Sequence, residues 1–271
     1  ISTVGFGGIS LRNNGQEFAN EVIARAYDLG CRYYDIAPSY GDSQQLMGPS
    51  LKPYRKNSFL ACKTQKRDAA GAEKELNESL KGLQTNYFDL YQLHALTTID
   101  DVENAFAPGG AMEVITKARN AGKIKYLGFS AHSTEAALLA MKKFDFDTIL
   151  FPINYACWHA GNFGPEVYEE AIRQDMGILA IKAFAVRRLN EGEERDYKNM
   201  WYIGTHEEKH SELAFRFTMS KKVAATVPSG DVSYIWKAAQ YIKDMKNITE
   251  KETRFLIKKS KESAPIFPKH S

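Results

Sequence analysis

Tyr33-Tyr-Asp-Ile-Ala-Pro-Ser-Tyr-Gly41 runs from an aromatic, apolar strand pattern over 33–36 into a polar loop that stops at a glycine. The acid Asp35 stands at the strand's end, and the phenol Tyr40 follows five residues later. A strand that spills into a polar loop and then a helical pattern is one unit of an alternating chain. The fold is decided by whether that unit repeats.

It repeats in both directions. Short β-rich runs fall at 4–7, 32–36, 59–63, 88–94, 124–130, 148–154, 178–184 and 223–228. Helical patterns separate them: Val22, Ala26 and Leu29 before a capping Gly30, a short helix capped by Ser43, and the stripe Ala72, Leu76, Leu80 and Leu83. Further helices are expected over 112–122, around Ala137 to Met141, over 167–174 and 213–219, with two more at 235–242 and 252–257. The connection holding Pro108-Gly-Gly and the polar stretch 187–208 read as long loops. Strands separated by helices pair in parallel, because each crossover returns the chain to the same end. Eight such units fit a closed (β/α)8 TIM barrel, a single domain over 1–271 with extra C-terminal helices. A doubly wound dinucleotide-binding sheet would need GxGxxG after the first strand. Gly5-Phe-Gly-Gly-Ile-Ser puts Ser10 where the third glycine belongs.

Bulk composition narrows the partners. With 36 basic and 33 acidic residues the net charge is +3, and no basic block interleaved with aromatics marks a nucleic-acid surface. No apolar run approaches the ~18 residues of a membrane-spanning helix, so no membrane partner is expected. Cys31, Cys62 and Cys157 are too scattered for a disulfide framework or a CxxC site. A cytoplasmic location is expected; a leader removed ahead of Ile1 leaves an exported form open. Nothing in the sequence specifies an oligomeric state.

In such a barrel the chemistry lies at the carboxyl ends of the strands. Those ends read Gly7-Gly8, Asp35, Lys63, His94, Ser130, Asn154, Lys182 and Ser229. One carboxylate is too few for glycoside hydrolysis. No HxH or HExxH pair marks a metal, so none is expected, although His94, His132 and Asp35 could in principle meet at one. Asp35, Lys63 and His94 do occupy three successive strand ends, with Tyr40 on the loop after the first. A lysine beside Tyr40 would lower the phenol's pKa, an acid at Asp35 would keep that lysine charged, and His94 would orient a carbonyl. Singly, each residue has an ordinary structural explanation; together they form a proton-delivery set. Trp158, Trp201 and Tyr202, on the loops after strands six and seven, could wall a substrate pocket or simply pack those loops onto the rim. Lys182 is placed to meet an anionic group or to salt-bridge a loop carboxylate.

Tyr34-Asp-Ile-Ala-Pro-Ser-Tyr-Gly-Asp-Ser, Phe59-Leu-Ala-Cys-Lys-Thr, Phe88-Asp-Leu-Tyr-Gln-Leu-His and Gly122-Lys-Ile-Lys-Tyr-Leu-Gly-Phe-Ser together resemble the aldo-keto reductase family, in the family's order. Within it the chain is most similar to a branch some of whose members carry C-terminal iron–sulfur cysteines; this chain has none. The resemblance implies a (β/α)8 barrel that binds NADP(H), or less often NAD(H), and interconverts small-molecule carbonyls and alcohols. It casts Tyr40 as general acid, Lys63 and Asp35 as its tuners, and His94 as the carbonyl-orienting group.

It also implies a cofactor site over Gly7, Gly8, Ser130, His132, Asn154, Ile181, Lys182 and the turn Pro228-Ser229-Gly230. Four departures fall there. Ala131 and His132 follow the nicotinamide-binding Ser130 where the family has asparagine. Pro152 replaces a glutamine, with Asn154 two residues on to supply an amide. Ile181 takes the place of the stacking tyrosine, and no arginine lies between Pro228 and Lys243 to clamp a 2′-phosphate. A non-catalytic nucleotide-binding barrel, or a redox-neutral sugar-modifying enzyme that retains its nicotinamide, are the alternatives.

Overall fold

The computed structural model describes residues 1–228 and 230–269, so Ser229 lies outside the described residues. The strands are β1 (Gly5–Gly7), β2 (Tyr33–Asp35), β3 (Phe59–Thr64), β4 (Phe88–Leu96), β5 (Ile124–Ala131), β6 (Thr148–Pro152), β7 (Gly177–Ile181), β8 (Ala185–Arg188), β9 (Tyr202–Gly204) and β10 (Ala225–Val227). β1 to β7 and then β10 lie side by side in chain order, every pair parallel. A bridge between Val4 and Thr226, with the Thr226 N–H donating to the Thr3 carbonyl at 2.8 Å, closes the ring. The protein is the expected (β/α)8 barrel.

Strand alternation explains the two packed layers. Tyr33, Ala61, Leu90, Leu150, Leu179 and Ala225 fill the barrel interior. Their sequence neighbours Tyr34, Leu60, Cys62 and Tyr91 belong to the layer shared with the surrounding helices. Several helices are started by side-chain caps: Asp68 accepts from the Gly71 N–H, Ser133 from Ala136, and Thr249 from Glu252. Gly30, at φ +91°, lets the chain reverse after the helix Gly15–Asp28 and enter β2.

The differences from the sequence reading lie in the connections. A helix, Ile99–Phe106, interrupts the long loop after β4, with a capping box between Thr98 and Asp101. The polar stretch after β7 is pinned by the antiparallel hairpin β8–β9. Ser43 is the first residue of the helix Ser43–Leu51, not its cap; its hydroxyl donates to the Tyr40 carbonyl at 2.7 Å. β6 stops at Pro152, because Asn154 leaves the sheet to cap a short helix, Tyr155–His159. β7 stops at Ile181, where Lys182 turns the chain at φ +63°.

Candidate active site

Two residues beyond each interior side chain, the same strand face reaches the barrel mouth. Tyr33 is followed by Asp35, Ala61 by Lys63, and Leu90 by Gln92 and then His94. Register places Lys63 opposite Gln92. Lys63 Nζ donates to Asp35 Oδ1 and, at 3.2 Å, to the Ile36 carbonyl. The Tyr33 hydroxyl donates to Asp35 Oδ2 at 3.1 Å, and Gln92 Nε2 lies 3.5 Å from the same oxygen. Asp35 and Lys63 are both buried. Burial works against the Lys63 charge, yet Asp35 and its neighbours outweigh that and hold its pKa above the ordinary lysine value.

Tyr40 sits over this pair. Its N–H donates to the Ala37 carbonyl at 3.1 Å, fixing the turn that carries it. Lys63 Nζ lies 5.4 Å from the centre of the Tyr40 ring, and the ring meets His94 edge-on at 5.8 Å between centroids. Lys63 pulls the phenol's pKa down, as the sequence suggested, but burial pushes harder and the net shift is upward. Tyr40 therefore holds its proton at neutral pH, the form a proton donor needs.

His94 stands at an irregularity. Register shifts between Leu93 and Leu96, and Ala95 adopts φ +54°, so β4 bulges where the imidazole leaves it. The bulge is held from both sides. Arg67 Nη2 donates to the His94 carbonyl at 2.8 Å and to the Ala95 carbonyl at 3.3 Å, while the Ala95 N–H donates to Ser130 Oγ at 2.7 Å. Arg67 is steadied in turn by Asp101 at 3.1 Å, the partner of Thr98 in the capping box of the helix Ile99–Phe106. Burial, then the charges of Lys63 and its neighbours, holds His94 well below the usual imidazole pKa, so the ring is neutral. Its Nδ1 lies 3.5 Å from Ser39 Oγ. Replacing Arg67 with methionine strands the two carbonyls and should destabilise the fold by about 1–3 kcal/mol. If Arg67 positions His94, kcat should fall as well, with Arg67→Lys restoring part of it; denaturation curves and steady-state kinetics on both variants check the two effects.

These groups open on a cavity of about 440 Å³. Asp35, Tyr40 and His94 line it, as do Gly7, Pro228 and Gly230. Ser130, His132, Ile181, Lys182, Trp201 and Tyr202 line it too. Ser130 uses its oxygen to hold the β4 bulge, leaving its own O–H as the donor. The His132 ring packs on Phe267 at 5.0 Å, and burial keeps it neutral. Gly230 permits a close approach: a Cβ there would come 2.6 Å from the Asn199 carbonyl oxygen.

Four expected residues among those described do not line the cavity. Lys63 is buried, held on Asp35. Gly8 packs beneath β2, where a Cβ would meet Ile36 at 2.2 Å. Asn154 spends its Oδ1 on the Cys157 N–H at 2.9 Å as a helix cap, while its buried Nδ2 has no partner among the described residues. Trp158 is turned away by that same helix. It packs edge-on to Tyr168 and Phe217 with Lys221 Nζ 4.2 Å from its ring, so it does not wall the pocket.

The cavity also has residues that the sequence did not single out. Exposed Arg12, Arg195 and Lys198 line its mouth. The segment carrying the last two folds across to the loop after β1: Lys198 Nζ donates to the Asn13 carbonyl at 3.0 Å, and Asn199 Nδ2 to that of Arg12 at 3.4 Å. These cations thus come from two loops far apart in the sequence. Among the described residues, no three His, Cys, Asp or Glu side chains come together as a metal would need, and no helix is long and apolar enough to cross a membrane.

Comparison with known proteins bears on the family and the fold. YhdN, an aldo-keto reductase of Bacillus subtilis, is 32% identical over 149 residues, which cover 50% of this chain and 43% of that protein. The aldo-keto reductase yakc of Schizosaccharomyces pombe is 31% identical over 150 residues, 48% of this chain and 42% of its own length. The chain thus matches less than half the length of these relatives. Among solved structures, the holo form of the aldo-keto reductase AKR11C1 from Bacillus halodurans superimposes with a TM-score of 0.75 at 23% identity, covering 97% of this chain and 94% of that one, a likeness of fold. A model of the Aldo/keto reductase family matches residues 3–245, and the chain belongs to that family.

Proposed function

We propose that the protein is an NAD(P)(H)-dependent oxidoreductase that interconverts a small-molecule carbonyl and an alcohol, with Tyr40 as its general acid and base. The observation that carries this is the buried Lys63–Asp35 pair close to a protonated Tyr40, whose ring meets a neutral His94, with Asp35, Tyr40 and His94 all lining the cavity. The residues present fit a nicotinamide dinucleotide. Arg12, Arg195 and Lys198 offer charge to its phosphates, Ser130 an O–H to the carboxamide, and Ile181 an apolar face to the ring.

When bound, that cofactor supplies or accepts the hydride. Everything else falls to the chain's own side chains. A neutral His94, protonated at Nε2, donates to the substrate carbonyl and fixes its direction. Tyr40 gives its proton to the oxygen as negative charge develops there, and Lys63 stabilises the phenolate left behind. Asp35, by holding Lys63 charged and still, keeps that stabilisation preorganised. In the oxidative direction Tyr40 takes the proton back.

The name of the S. pombe relative specifies NADP(+). Together with the cationic mouth, this supports NADP(H) as the preferred cofactor, with NAD(H) as the weaker ligand. Titrating the protein into NADPH and NADH, with nucleotide fluorescence as the signal, tests it. NADPH is expected to bind more tightly, and more weakly as salt is raised. Absence of binding by either nucleotide at high micromolar concentration would overturn the proposal.

A further inference from the structure

We infer that the substrate carries an anionic group, a carboxylate foremost, which is held by Lys182 while its carbonyl meets Tyr40 and His94; this rests on the oxidoreductase reading above. Four cations line the cavity, Arg12, Lys182, Arg195 and Lys198, against a single carboxylate among the described residues, Asp35. That carboxylate is already taken by Lys63 and Tyr33. The cavity therefore carries uncompensated positive charge that a ligand must answer.

Lys182 differs from the other three. Arg12, Arg195 and Lys198 stand exposed at the mouth, where cofactor phosphates would satisfy them, whereas Lys182 is half-buried at the carboxyl end of β7, next to Ile181. Its ammonium lies 5.8 Å from the centre of the Trp201 ring and 5.7 Å from that of Phe267. Among the described residues it makes no ion pair and no side-chain hydrogen bond. Two nearby aromatic rings steady a cation without neutralising it. The partial burial of Lys182 strengthens the attraction to any anion that enters. Burial brings the Lys182 pKa down to about 8, the mark of an ammonium without a counter-charge. The backbone adds its own sign: Lys182 holds φ +63°, a conformation that glycine adopts more easily, yet a long cationic side chain is kept there. Trp201, which lines the cavity beside Lys182, further favours a flat, apolar body between the carboxylate and the carbonyl.

The test compares 4-carboxybenzaldehyde with its methyl ester, methyl 4-formylbenzoate, as substrates with NADPH. The acid should show a kcat/KM roughly ten- to a hundredfold above that of the ester, the scale of one charge-assisted hydrogen bond. In Lys182→Met the acid-to-ester ratio should collapse toward one. Calorimetric binding of 4-(hydroxymethyl)benzoate, against its own methyl ester, gives a readout independent of turnover and should show the same preference and the same loss. Equal handling of acid and ester by the native protein in both measurements would overturn the inference while leaving the oxidoreductase reading intact. Carboxylate binding without reduction of either aldehyde would do the reverse. A Lys182→Met variant that weakens NADPH binding and leaves the ratio unchanged would assign Lys182 to the cofactor, against this inference.

Discussion

Tyr40→Phe should lower kcat by about 10²–10⁴-fold, the usual weight of a positioned general acid, while NADPH binding stays essentially unchanged. The substitution removes one oxygen and its proton and little else. The Tyr40 ring still meets His94 edge-on, and the backbone bonds from Tyr40 to Ala37 and from Ser43 to Tyr40 do not involve the phenol. Loss of rate with the nucleotide affinity preserved separates a chemical role from a packing one. Steady-state kinetics and a fluorescence titration on one preparation measure both. If Tyr40→Phe turned over at the native rate, the phenol would not be the proton donor.

The second large effect concerns Lys63. Its charge is wholly buried against Asp35, and Tyr33 and Gln92 cluster on the other carboxylate oxygen. Removing one partner of such a pair leaves a buried charge uncompensated, which typically costs about 3–5 kcal/mol. Lys63→Met should therefore lose stability on that scale as well as nearly all turnover. The double variant Asp35→Asn with Lys63→Met removes both charges and should recover much of the stability while staying inactive. Recovery without activity would place the pair's value in catalysis rather than folding. Because folded Lys63 holds its proton more tightly than an unfolded lysine, its contribution is complete below the unfolded value of about 10.4 and fades as pH rises past it. Denaturant unfolding of the three proteins at neutral pH, and of the native protein up to pH 11, checks both statements.

How far the sequence could be read follows from where each signal lives. The barrel was legible because its strands announce themselves locally. Phe59 to Thr64 alternates between the interior and the helix layer, and the same period carries Asp35, Lys63 and His94 to the mouth. The connections were not. The helix Ile99–Phe106 could have been found from Thr98 and Asp101, spaced as a capping box. Asn154 carried the same kind of warning: a cap signal two residues past Pro152 marks a strand that has already ended, and it turns Trp158 away from the cavity. Arg12, Arg195 and Lys198 gave no such clue. They converge only because the segment after β8 crosses to the loop after β1, a long-range contact with no local pattern behind it. Arg67 is similar, its role being set by a bulge in β4 that no residue type requires.

The most direct test follows a label. NADPH carrying deuterium at both C4 positions of the nicotinamide is incubated with the protein and 4-carboxybenzaldehyde, and the resulting alcohol is analysed by mass spectrometry. The mechanism predicts one deuterium on the carbinol carbon, with labelled alcohol formed about 10²–10⁴ times more slowly by Tyr40→Phe. Nucleotide that binds yet leaves every carbonyl offered unreduced, or a product formed without deuterium and without net NADPH consumption, would contradict it and point instead to a regulatory barrel or a redox-neutral enzyme.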